Sequence, residues 1–133
     1  MIRVVLDTNV WLSALLYGGP PEEVVGLIQA GEVEAFISPA MLDELAGVLR
    51  RRKFNLSALE VDALVRGVAE MATLVHPSTE VSVVEDDETD NRILECAIAA
   101  GAVFVISGDA HLLKLGKFGR VIVLKPGDFL RQH

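Results

Sequence analysis

Four carboxylates stand where they could do chemistry: Asp7, Glu44, Asp90 and Asp109. Nothing else in the chain suits nucleophilic catalysis, since there is no G-x-S-x-G elbow, no suitable Cys/His pair and no glycine-rich phosphate loop. With three histidines that do not cluster and one cysteine, Cys96, structural zinc has no ligand set either. A carboxylate directed into an apolar interior is costly unless it is paired or bound to a cation. Several together also repel, so at least one must keep its proton when no cation is present. Mg²⁺ or Mn²⁺ relieves both problems, because hard dications favour oxygen ligands. Asn9 and Ser107 add neutral oxygens beside Asp7 and Asp109, able to hold a water or a supporting hydrogen bond. The chemistry of such a set is phosphoryl hydrolysis with water as the nucleophile.

These acids need elements to position them. Ile2 to Leu6 reads as a buried strand that stops at Asp7, and Val10 to Tyr17 as a helix ended by Gly18-Gly19-Pro20-Pro21. Glu22 to Ala30 is a second helix with its stop at Gly31, and Val33 to Ile37 a second strand. Ser38-Pro39 is a strong helix start, and that helix runs to about Leu49. Ser57 caps another, from about Ala58 to Ala72. Thr73 to His76 is a candidate strand, whereas the apolar stub Val81 to Val84 fits no period. Asp86 to Asp90 is a turn and helix entry, the helix reaching Ala100 before Gly101. Val103 to Ile106 is a strand, Ala110 to Leu115 a short helix and Val121 to Leu124 a last strand before Pro126. This alternation predicts an α/β fold with a mainly parallel sheet, whose ligands bind outside the carboxyl ends of the strands.

Helix phase discriminates among the acids. Over 39–49, Met41, Leu42, Leu45, Val48 and Leu49 form one stripe; Glu44 lies at its edge and Asp43 nearly opposite. Over 88–100, Asp90 shares a face with Ile93, Leu94 and Ala97, while Glu95 points away. Each acid also has a plainer reading, because carboxylates at helix starts serve as caps and dipole partners.

A chain of 133 residues, half of them hydrophobic, fits one folded domain spanning 1–133. No apolar run is long enough for a bilayer and no secretory signal opens the chain, so a cytoplasmic location without a membrane partner is expected. Cys96, among Leu94, Ala97 and Ile98, reads as a small buried thiol. The net charge of −7 argues against a nucleic-acid partner. Cations held by four acids would blunt that argument, and Arg50, Arg51, Arg52 and Lys53 form a local basic run, either an RNA contact or a solvated helix end. Trp11, Leu12, Leu15 and Leu16 form a stripe for the core or a dimer interface.

Taken in order, the motifs resemble those of PIN-domain nucleases. Val4-Val-Leu-Asp7-Thr-Asn9-Val-Trp is similar to their opening, and Ser38-Pro39 with Asp43-Glu44-Leu45 to their second acidic block. Asp87-Glu-Thr-Asp90-Asn91-Arg-Ile-Leu-Glu-Cys-Ala97 resembles the third block, Val105-Ile-Ser107-Gly-Asp109 the fourth, and Pro126 to Leu130 the ending. Within the family the resemblance is to VapC-type toxins of toxin–antitoxin systems. It implies a three-layer α/β/α sandwich, a Mg²⁺ or Mn²⁺ site, cleavage of single-stranded RNA, a homodimer and inhibition by a cognate antitoxin. Asp7, Glu44, Asp90 and Asp109 would take the acidic roles, with Asn9 and Ser107 accessory. One position departs: many relatives carry a further acid two residues after Asp109, where this chain has His111. A histidine can ligate Mn²⁺ or move a proton, but when neutral it adds no negative charge.

The competing reading is a catalytically silent PIN-like module that binds RNA or protein, motivated by His111. Two other phosphotransfer folds fit poorly. A haloacid-dehalogenase-type phosphatase wants an acid where Asn9 stands, and a response-regulator receiver wants an acidic pair after the first strand.

Overall fold

In the computed structural model of the chain, which describes residues 1–85 and 87–132, the first strand β1 (Ile2–Leu6) lies inside the sheet. Asp86, in the acidic turn, and His133 lie outside the described residues. After β1 come helices α1 (Thr8–Leu16) and α2 (Pro20–Gln29), strand β2 (Val33–Ile37) and helix α3 (Pro39–Leu49). A 3-10 turn (Arg52–Phe54) leads to α4 (Ala58–Met71) and the two-residue β3 (Thr73–Leu74). The remainder is α5 (Glu88–Ala100), β4 (Phe104–Ile106), α6 (Ala110–Leu115), β5 (Lys117–Phe118), β6 (Val121–Leu124) and α7 (Pro126–Gln132).

The strand order is β3-β2-β1-β4-β6-β5, parallel throughout except for the β5–β6 hairpin. The connections from β1 through β3 step toward one edge, those from β3 through β5 step toward the other, and the β5–β6 hairpin steps back by one strand. Helices cover both faces of this sheet, giving three α/β/α layers. Val4, Val5 and Leu6 of β1 are fully buried, as a strand covered on both faces must be, and Trp11, Met41, Leu45, Leu49 and Ile106 complete the centre. Among the described residues no helix is long and apolar enough to cross a membrane.

Local chemistry accounts for the boundaries. Ser38 caps α3 by accepting from Met41 N with Pro39 at its first position, and Ser57 and Glu60 form a reciprocal capping box on α4. Gly101 ends α5 at φ 62°, a left-handed conformation that a side chain would resist. Several expectations shift. Helix α1 starts at Thr8, two residues before Val10, because Asp7 caps it, and α2 starts at Pro20. β3 covers only Thr73 and Leu74. The hairpin strand β5 and the helix α7, which begins at Pro126, were not indicated by periodicity.

The Val81–Val84 stub is neither helix nor strand, because side chains of α5 take over its hydrogen bonds. Asn91 Oδ1 accepts from Val83 N (3.1 Å) and Val84 N (2.9 Å), while its Nδ2 donates to Val84 O (2.8 Å). Glu95 accepts from Val81 N at 2.8 Å, and Arg92 donates to Val81 O at 3.1 Å while pairing with Glu95 at 3.0 Å. Glu95 does not point into solvent, as helix phase suggested: it is buried, because this segment folds over its face of α5. A buried carboxylate there is offset by Arg92 and a backbone N–H.

Candidate functional site

The four acids come from four different parts of the chain and meet at the carboxyl ends of β1 and β4. Asp7 follows β1 and continues its ladder, its N–H donating to Ile106 O at 2.9 Å. Its side chain is buried, and one oxygen caps α1 by accepting from Asn9 N at 3.1 Å. The other oxygen accepts from Ser107 Oγ at 2.6 Å, and Ser107 Oγ accepts in turn from Asp109 N at 2.9 Å. Ser107 is itself fully buried, so it ties the first and last acids together across a hundred residues of sequence. Asp109 caps α6, accepting from His111 N (2.9 Å) and Leu112 N (3.1 Å). Its capping role is thus real and leaves it at the site.

Asp90 lies in the first turn of α5, 3 % exposed, and its Oδ2 is buried without a hydrogen-bond partner. The helix cap is Asp87, which accepts from Thr89 N, so capping does not account for Asp90. Asp87, Asp90, Asp109 and His111 each bring one ligand atom within 4.8 Å of the others. Asp7 and Glu44 stand just outside this tight group but share its field. Glu44 is half-buried on α3 and its neighbours are Thr8, Asp7 and Asp87, whereas Asp43 is exposed, as helix phase predicted.

The electrostatics of the set are those of crowded acids. Burial pushes Asp7 above the usual carboxylate range and the charge of Asp109 adds to this, against the pull of hydrogen bonds from Ser107, Asn9 and Thr8. Burial likewise raises Glu44, with Asp7 and Asp87 adding and Thr8 and Arg51 opposing. Asp90 is pushed up to about 8, first by burial, then by the neighbouring Asp109 carboxyl and its charge and by the charges of Asp87 and Asp7. An unpartnered buried carboxylate oxygen and three acids held toward their protonated forms suit a site for a hard dication. The oxygen-rich donor set fits Mg²⁺ or Mn²⁺.

A model of the PIN domain matches residues 3–111. The chain belongs to the PIN-domain family. At 28 % identity over 118 residues it resembles an uncharacterized protein, MJ1680, of Methanocaldococcus jannaschii, covering 86 % of this chain and 75 % of that one. Its fold matches a chain in the crystal structure of VapBC2 from Rickettsia felis bound to a DNA fragment from their promoter. That match has a TM-score of 0.67 and 17 % identity, and covers 93 % of this chain and 98 % of that one. A chain in DNA-bound VapBC from Salmonella typhimurium matches with a TM-score of 0.64 and 16 % identity, covering 95 % and 99 %.

Asn9 is exposed and lines a cleft of about 430 Å³ with Ser13, Gly108, Asp109 and Pro126. His111 lines another of about 410 Å³ with Val83, Glu85 and Lys114. Of the four acids, Asp109 lines the first of these clefts. A larger apolar cavity, about 480 Å³, lies by Gly101 and the β5–β6 hairpin, away from the acids. Arg50, Arg51, Arg52 and Lys53 are all exposed, and of these Arg51 acts on the field at Glu44. Lys53 stacks over Phe54, 5.1 Å from the ring centroid. Sequence reasoning passed over Asp87 and Thr8. Asp87 had a signal, since it precedes Asp90 by three residues and so shares its side of the helix entry; Thr8 had none beyond adjacency to Asp7.

Proposed function

We propose that residues 1–133 act as one metal-dependent endoribonuclease domain, cutting single-stranded RNA in the cytoplasm as the toxin of a toxin–antitoxin pair. The observation that carries this reading is the convergence of Asp7, Glu44, Asp90 and Asp109 around a buried, unpartnered carboxylate oxygen. Asp7, Asp90 and Asp109 would hold Mg²⁺ or Mn²⁺, with Glu44 at the margin. A dication there supplies Lewis acidity toward water and toward charge developing at phosphorus.

The chain's own groups do the rest. Ser107 fixes the direction of the Asp7 carboxylate through its 2.6 Å hydrogen bond. Glu44, set back from the tight group and half-buried, is placed to accept a proton from water. Arg51, beside Glu44, offers a cation to a neighbouring phosphate, and Asn9 offers an amide in the adjoining cleft. Likeness to VapBC chains supports an antitoxin as protein partner, and we extend the family's homodimer to this chain.

The test is calorimetric titration of Mn²⁺ into wild type and Asp7→Asn, with cleavage of single-stranded RNA assayed on the same samples. Wild type should bind and cut at protein levels well below substrate, and the variant should lose both, its rate falling by on the order of a hundredfold or more. Metal binding without cleavage would favour the silent-module reading that His111 motivates.

A further inference from the structure

The tight group around Asp90 contains a nitrogen. His111 is in the first turn of α6, two residues after the Asp109 cap, and its side chain is half exposed. Its Nδ1 lies 3.9 Å from Asp109 Oδ1, too far for a hydrogen bond yet close enough for both to reach one ion. A ligand atom from each of Asp87, Asp90, Asp109 and His111 lies within 4.8 Å of the others. Independently, Asp90 Oδ2 is buried and has no hydrogen-bond partner.

We infer that His111 is a metal ligand, making Asp87, Asp90, Asp109 and His111 a mixed nitrogen–oxygen site that selects Mn²⁺ and later first-row dications over Mg²⁺. This rests on the metal-dependent reading above, with which it shares Asp90 and Asp109, and it adds Asp87 and His111 and specifies which ion the group takes. Mg²⁺ holds its water tightly and binds through charge and oxygen geometry, so replacing an acid by a neutral imidazole weakens it. Imidazole nitrogen instead suits the transition ions, whose affinity rises along the first row. Asp87 supplies a third carboxylate, so a dication is still neutralised.

The experiment titrates Mn²⁺ and Mg²⁺ separately into the full chain, His111→Asp and His111→Ala, and records electron spin-echo modulation of bound Mn²⁺ for coupling to ¹⁴N. Because the histidine side chain is half exposed, both variants should keep the fold, which circular dichroism checks. Wild type should prefer Mn²⁺ on the order of tenfold or more and show nitrogen coupling. His111→Asp should lose the coupling and narrow the preference by gaining Mg²⁺ affinity; His111→Ala should lose the coupling and on the order of tenfold in Mn²⁺ affinity. Nitrogen coupling missing from wild type, or surviving in His111→Asp, overturns the inference while leaving a metal-dependent nuclease intact. Binding of neither ion by wild type overturns both.

Discussion

Asp90, whose carboxyl is pushed up to about 8, keeps its proton in the metal-free fold through neutral pH, where an ordinary aspartate is fully ionised. Asp90 is raised above its unfolded value, so its contribution to the metal-free fold is fully present below pH 4 and is lost as pH rises toward about 8. Asp90→Asn removes that dependence. In urea unfolding with a chelator present, the variant should exceed wild type by about 1–3 kcal/mol at pH 8 and match it at pH 4. An equal gain at both pH values would point to something other than a buried charge. Cys96 offers a second test at this scale. It is fully buried and its thiol is pushed up to about 12, so a thiol reagent should leave the folded protein unmodified and label it only in denaturant. Individual side chains were legible where one helix face was enough to judge them, as for Glu44 against Asp43. Helix phase failed at Glu95, because burial there comes from a non-periodic segment crossing the helix.

That segment matters at the scale of elements. Residues 81–84 are secured to α5 by the side chains of Asn91, Arg92 and Glu95, and the chain then enters the Asp87 cap and the Asp90 turn. Asn91→Ala would strand two amides and a carbonyl in a part-buried place, at a cost of about 2–4 kcal/mol. Hydrogen exchange at Val83 and Val84 should quicken sharply, and Mn²⁺ affinity should fall, because the cap that places Asp87 loses its anchor. Asn91→Asp keeps the acceptor but sets a buried carboxylate against Val84 O, so it should not rescue the fold. Unchanged exchange at those amides would remove Asn91 from any positioning role. The elements that carry the acids were readable because their signals are local: β-branched runs, Ser-Pro, a capping serine, a terminal glycine. α7 was missed because Pro126 serves equally as a stop for a strand and as the first residue of a helix, and β5 because two residues have no period.

For the molecule as a whole, the acids lie on or beside β1, α3, α5 and the β4–α6 junction, so one cation group would bind both helical layers to the sheet edge. At a hundredfold excess over its dissociation constant, Mn²⁺ should stabilise the fold by about 2.7 kcal/mol, raising the unfolding temperature by about 8–10 °C. The rise should shrink at pH 4–5, where protons on Asp7, Glu44 and Asp90 compete with the ion. A scanning-calorimetry shift that ignores pH would deny the acids their part. Neither the sheet order nor the pairing of β1 with β4 could be read from the sequence, because both depend on contacts a hundred residues apart. That pairing orders events during synthesis. When Ile37 has left the ribosome, β1 can pair with β2, yet its other edge stays bare until Phe104 to Ile106 arrive. Ser107 and Asp109 follow at once. A nascent chain therefore covers both edges of β1 and completes its acid group in nearly the same moment, and a chain halted earlier lacks the acid group and leaves β1 open-edged.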